Sequence, residues 1–343
     1  MRSHPLQQLI LAKLRELARE PEALFWIFVF PVLLALALGV AFRSGAPEPL
    51  PVAVEDGPGA DALVAALEAS RDLRPETVAP EDAAQRLRTG KVALVVVPGE
   101  TWTYRYDPTR PDSRLARLAV DDALQRARGR ADPVPAVDET LTAPGSRYID
   151  FLIPGLVGMN LMGTGMWGIG FYIVNARSKR LLKRLIATPM RRWHYLLAQI
   201  GGRLVFLVLE VGALVGFARL AFGVPLRGSL GALALLCGLG GMTFAGLGLL
   251  VASRARTIEG VSGLMNLVML PMWVLSGIFF STSRFPEVAQ PIVQALPLTA
   301  LIDGLRAVML EGAGVSAVAG EMGIAAAWCV VSFALALARF RWS

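Results

Sequence analysis

Residues 151–195 read FLIPGLVGMNLMGTGMWGIGFYIVNA followed by RSKRLLKRLIATPMRRWHY. The first 26 residues carry no charge, which exceeds the ~20 apolar residues a helix needs to cross a bilayer. The next 19 carry seven basic residues and no acidic one, the signature of a connection held on the cytoplasmic side. A spanning helix running into a basic loop makes this a membrane protein, and the rest of the chain is read from that junction outward.

Five further runs are long and apolar enough to span: 23–42, 196–218, 229–252, 260–283 and 322–338. A seventh stretch, 288–302, is too short and is broken by Pro291 and Pro297, so 284–311 is expected to be re-entrant. Composition agrees. Of 343 residues 54% are hydrophobic and 18% charged, below the ~25% of soluble domains, and mean hydropathy is +0.52. That excludes a disordered chain, a disulfide scaffold and most soluble enzymes. The net charge of +7 is unevenly placed: residues 43–148 are net −3, so the apolar remainder is net +10. Basic charge beside apolar runs points to a lipid bilayer, not to nucleic acid.

With the N-terminus inside, the short inner connections hold fifteen Lys and Arg against four outside. Both termini are therefore expected in the cytoplasm, and the protein in the inner or plasma membrane as a multi-pass chain. Leu6, Leu9, Ile10, Leu14 and Leu17 recur at helical spacing among basic residues, so residues 1–21 are expected to form an amphipathic helix on the inner surface rather than a signal peptide. Residues 22–42 are the first span. Residues 43–148 form an extracytoplasmic α/β domain with its linker, and 149–343 a five-span domain. Within 43–148, strands are expected at 51–55, 92–97 and 101–106, helices at 61–71, 80–89 and 111–128, with at least one parallel crossover. The fold class is thus a mainly α polytopic membrane protein: six transmembrane helices, an N-terminal interfacial amphipathic helix and a small α/β extracytoplasmic domain between spans one and two.

Several motif matches fail on context. Gly163, Gly165 and Gly168 spell a dinucleotide fingerprint, but inside a span with no strand before it. Their small size suits close helix packing better, as does that of Gly212 and Gly216. Ser262 between Gly260 and Gly263 resembles an intramembrane protease serine, but both histidines, His4 and His194, lie in cytoplasmic segments. Gly90-Lys91 lacks the rest of a phosphate loop. No catalytic residue, metal ligand or cofactor site is expected in this chain. Cys237 and Cys329 lie in apolar runs and build no disulfide framework.

The basic loop is more patterned than orientation requires. Leu181, Leu182, Leu185 and Ile186 form an apolar stripe at helical spacing, and Thr188-Pro189 ends that helix. Here the chain resembles the membrane subunit of type-2 ABC exporters, the family of daunorubicin-resistance and related multidrug permeases. The resemblance rests on Arg147-Tyr148-Ile149-Asp150-Phe151-Leu152-Ile153-Pro154-Gly155 and on Leu185-Ile186-Ala187-Thr188-Pro189. It extends through Leu275-Ser276-Gly277-Ile278-Phe279-Phe280, Phe285-Pro286 and Leu296-Pro297-Leu298 to Leu305-Arg306. The order of elements matches over essentially the whole chain. One departure is Arg177, Lys179 and Arg180, where many relatives carry glutamates.

The resemblance implies an export permease whose two copies, as a homodimer or with a sister permease, form the pathway. ATP and Mg would be held by a separate ATP-binding-cassette subunit. It implies that segment 177–195 is the coupling element, with Arg177, Lys179, Arg180, Leu181, Leu182, Lys183, Arg184, Leu185, Thr188 and Pro189 facing that subunit. Glu210, a carboxylate near mid-span, is the candidate for lining a substrate route; the alternative is a helix tie, with Arg203 as one partner. Two other functions fit less well. A secondary transporter would show paired ionisable residues and an internal repeat. A membrane-anchored sensor acting through 43–146 would not need six spans.

Overall fold

A computed structural model describes residues 19–42, 48–131, 134, 145, 147–178, 192–255 and 257–339. The expected N-terminal amphipathic helix lies outside the described residues, as does most of the linker before residue 147. The chain divides into two compact units, residues 44–141 and the remainder.

The smaller unit is a four-stranded sheet in the order β2-β1-β3-β4, built from β1 (Leu50–Glu55), β2 (Leu73–Val78), β3 (Leu94–Val97) and β4 (Thr103–Arg105). β1 pairs in parallel with β2 and β3, while β4 runs antiparallel to β3. Alternation sends Val52, Val54, Leu94 and Val96 to one face and Ala53 and Val95 to the other. Helices α2 (Ala60–Glu68) and α4 (Pro111–Ala127) cover the first face through Leu63, Leu67, Ala116, Val120 and Leu124. Helix α3 (Pro80–Arg88) covers the second through Ala83 and Leu87. A sheet covered on both faces is what parallel pairing requires.

Strand β2, LRPETV, is not legible in the sequence, because its interior carries Arg74, Pro75 and Glu76. It occupies the sheet edge, where proline costs no ladder bond that the sheet needs. Only its ends, Leu73 and Val78, reach a core. Polar contacts cluster at the opposite edge. Glu55 pairs with Arg105, and the Tyr104 hydroxyl donates to Asp121 at 3.2 Å beneath the Arg117 guanidinium. Burial and the Asp121 carboxylate push the Tyr104 phenol up to about 12.

Among its described residues the larger unit holds six helices long and apolar enough to cross a membrane. In chain order they are α1 (Pro21–Ala41), α5 (Tyr148–Asn175), α6 (Arg192–Phe222), α7 (Leu230–Arg254), α8 (Ile258–Leu275) and, last, α11 (Ala319–Arg339). Between α8 and α11 lie two short helices, α9 (Gln290–Ala295) and α10 (Pro297–Arg306). With the turns that flank them they form a pair bent by 86° around Leu296, whose following proline restricts it to an extended conformation.

Helix boundaries differ from the apolar runs where capping decides them. Helix α5 starts at Tyr148, ahead of the apolar run, because the Asp150 carboxylate accepts the Arg147 backbone N–H at 3.2 Å and the Arg147 guanidinium at 2.8 Å. Helix α8 stops at Leu275, not at the expected 283. Gly277 there has φ +74°, a left-handed conformation that glycine adopts without a steric penalty. Helix α11 is longer than expected, 21 residues.

Two helices make the centre of this unit. The most apolar window of α5 is 72% buried and that of α7 56%, against 17%, 22% and 17% for α1, α8 and α11. Glycine permits the central packing. A Cβ on Gly165 would sit 2.7 Å from the Phe244 Cβ, and one on Gly248 would sit 2.7 Å from the Met166 carbonyl oxygen. Among the described residues no such contact is seen at the other glycines of the sequence reading. Gly163, Gly168, Gly212 and Gly216 have no atom within 4 Å of their Cβ positions, because those positions point away from the neighbouring described helices.

Candidate functional site

Proline inside a spanning helix removes one backbone donor and strands the carbonyl four residues earlier. In α1 the proline is Pro31 and the stranded carbonyl is that of Ile27, within a π-helical stretch over Phe25–Val29. Asn160 of α5 donates its Nδ2 to that carbonyl at 3.2 Å. One turn on, the Thr164 hydroxyl lies 2.8 Å from the Asn160 carbonyl and 3.2 Å from Glu210 Oε1 of α6. Glu210 itself is 2% exposed. A polar ladder thus joins α1, α5 and α6 through one face of α5.

That arrangement bears directly on Glu210. Its carboxylate is buried among helices and hydrogen-bonded to Thr164. The side chain of Arg203 lies outside the described residues. Asn160 and Thr164 carry no role in the sequence reading. Their signal is a pair of polar residues spaced i, i+4 in an uncharged span, which places both on one helix face.

The helix of α5 continues to Ser178, and Arg177 lies in its last turn. Its guanidinium donates to the carbonyls of Ala252 at 3.4 Å and Ala255 at 3.3 Å, at the C-terminal end of α7, where carbonyls have no donor within the helix. A cation at a helix C-terminus also complements the helix dipole. Arg177 therefore fastens the end of the second span to the end of the fourth. The other residues of the expected coupling set, Lys179, Arg180, Leu181, Leu182, Lys183, Arg184, Leu185, Thr188 and Pro189, lie outside the described residues.

A second arginine organises the other end of α5. Arg306, on α10, stacks its guanidinium 3.7 Å from the centre of the Phe151 ring, donates to the Gly277 carbonyl and approaches Asp303 at 3.4 Å. It joins the bent pair, the start of α5 and the end of α8. Trp328 of α11 donates its indole N–H to Ala295 at 2.8 Å, and the Thr243 hydroxyl of α7 donates to Ala325 at 2.9 Å. Among the described residues, α1, α5, α6, α7 and α11 each take part in at least one side-chain bond to a backbone carbonyl or carboxylate of another element, and the turn after α8 receives one from Arg306 at Gly277.

Comparison with known proteins agrees with this architecture. The chain is 27% identical over 173 residues to the inner membrane transport permease YhhJ of Escherichia coli K12, a stretch covering 50% of this chain and 46% of that relative. It is 29% identical over 199 residues to nodulation protein J of Bradyrhizobium diazoefficiens, covering 57% of this chain and 75% of the relative. It is 29% identical over 181 residues to the linearmycin resistance permease protein LnrN of Bacillus subtilis, covering 51% and 46%. The chain thus spans about half the length of YhhJ and LnrN. The model of the ABC-2 family transporter proteins matches residues 21–338, from the first helix to the last, and the chain belongs to that family.

Proposed function

We propose that this protein is the permease subunit of an ATP-driven exporter, forming the translocation pathway with a second permease copy and driven by a separate ATP-binding-cassette subunit. Residues 177–195 would be the docking surface on the cytoplasmic side, with both termini on that side and residues 43–148 outside. ATP and Mg would belong to the partner. The family match and relatives named as transport permeases support the general role.

The observation that carries the coupling reading is the position of Arg177. The basic segment leaves α5 at a residue whose guanidinium holds the end of α7, and it returns to the bundle at the start of α6. A displacement of that segment by a partner would act on three spans at once. Contacts that differ between two states of the partner would then bias the permease between inward and outward states. Glu210 is read as a tie that keeps α5 and α6 moving together, on the strength of its bond from Thr164.

The test is a charge in the apolar stripe. Burying one leucine contributes roughly 1.5–3 kcal/mol, whereas an exposed ion pair contributes only ~0–1 kcal/mol. Leu185→Asp is expected to uncouple transport from ATP hydrolysis by the assembled complex, and Arg191→Ala to have a small effect. Unchanged assembly and transport in Leu185→Asp would refute the coupling assignment. Orientation is checked separately with Gly99→Cys and Ser178→Cys in intact cells. Only the first is expected to react with a membrane-impermeant thiol reagent, and the reverse pattern would invert the topology.

A further inference from the structure

The C-terminal ends of α7 and α11 and the early turns of α8 enclose an open groove of about 230 Å³. Leu250, Val251, Leu264 and Val268 form its apolar wall, and Arg254 and Arg339 stand at its rim. Both arginines are exposed, and among the described residues neither makes a side-chain hydrogen bond or ion pair. Arg254 is the last residue of α7 and Arg339 the last described residue of α11, so two cations sit at one end of the bundle beside an apolar groove. The only acid of α8, Glu259, lies five residues before Leu264, about 140° around the helix.

We propose that this groove binds an anionic phospholipid, with one acyl chain along the apolar wall and the phosphate between Arg254 and Arg339. The chemistry selects this occupant. The volume is below the ~300–1,000 Å³ of pockets that enclose drug-sized molecules, and suits a stretch of one hydrocarbon chain. The groove opens where bilayer lipid is the neighbouring medium, because α8 and α11 are among the least buried of the spans. Paired guanidiniums match the planar, bidentate geometry of a phosphate. Basic pockets between spanning helices recruit anionic headgroups in the same way. The occupied groove would bridge α7, α8 and α11, adding to α8 a contact that Arg306 supplies only at its other end.

The experiment is native mass spectrometry of the full chain released from bilayers containing equal amounts of phosphatidylglycerol and phosphatidylcholine with matched acyl chains. The wild type is expected to retain phosphatidylglycerol at least tenfold over phosphatidylcholine. The double variant Arg254→Gln, Arg339→Gln is expected to lower phosphatidylglycerol retention about thirtyfold, the effect of two headgroup contacts, with phosphatidylcholine unchanged. Val251→Trp, which fills the groove and leaves both charges, is expected to abolish retention. Equal retention of the two lipids by the wild type would overturn the proposal without recourse to any variant. Undiminished phosphatidylglycerol in either variant would overturn it as well.

Discussion

The α/β unit and the membrane unit both bury large aliphatic side chains, and differ in what they expose and in how closely their helices approach. In the α/β unit large aliphatic side chains fill two layers around a sheet, Leu67 and Leu94 being fully buried, and the charges stay outside or pair there. In the membrane unit large aliphatic side chains crowd the outside. Leu220, Leu267, Val330 and Leu337 are each more than 60% exposed, while close helix contacts run through Gly165, Gly170 and Gly248. The difference follows from the solvent. In water, burying apolar surface drives association. In lipid it gains nothing between helices, so close backbone contact and hydrogen bonds to stranded carbonyls select the partners.

This contrast can be broken by exchanging the perturbations. The largest effect is expected from Leu67→Ala, which removes a fully buried side chain between α2 and the sheet and costs about 2–5 kcal/mol. Limited proteolysis of the purified chain should then cut within residues 48–131 and spare the spans. Equal sensitivity of both units would deny their independence. A smaller cost, about 1–3 kcal/mol, is expected from adding bulk where helices touch. Gly248→Val forces a Cβ against the Met166 carbonyl and should lower the midpoint of thermal unfolding in detergent, whereas Gly212→Val should not. Matching losses in the two variants would show that the cost does not come from the close approach at Gly248.

The smallest effect sharpens the role of the polar ladder. Interhelical hydrogen bonds in membranes average ~0.6 kcal/mol, up to ~1.7. Thr164→Val removes the bond to Glu210 while keeping the shape, and should cost no more than that in stability. Glu210→Gln keeps a hydrogen-bonding amide at the same place and is expected to leave expression and substrate preference as they are. A changed substrate preference with intact expression would return Glu210 to the transport route.

Much of the architecture is legible before folding, because it follows from local rules. Six spans can be counted from apolar runs, and three strands and three helices of the α/β unit follow from period and turn residues. Local rules mislead where the fold overrides them. Strand β2 carries a proline that only an edge position tolerates. Helix α8 was extended through Gly277 because apolarity continues past the residue that turns the chain. The two helical glycines at 212 and 216 have the spacing of a packing motif, yet no described helix lies against them.

What residue order decides is which stretches favour lipid, which alternate as strands, and where charge accumulates, since each depends on neighbours a few positions apart. What only the folded arrangement decides is which partner each stretch meets. Pro31 announces a stranded carbonyl at Ile27, but its acceptance of Asn160 links residues 133 positions apart. Arg177 is one of seven basic residues within 177–195, and becomes the clasp of α7 because the second and fourth spans lie side by side there. Hydrophobic burial marks no preferred neighbour inside a membrane, so these pairings are set by shape and by unsatisfied backbone groups, which leave no periodic trace in the sequence.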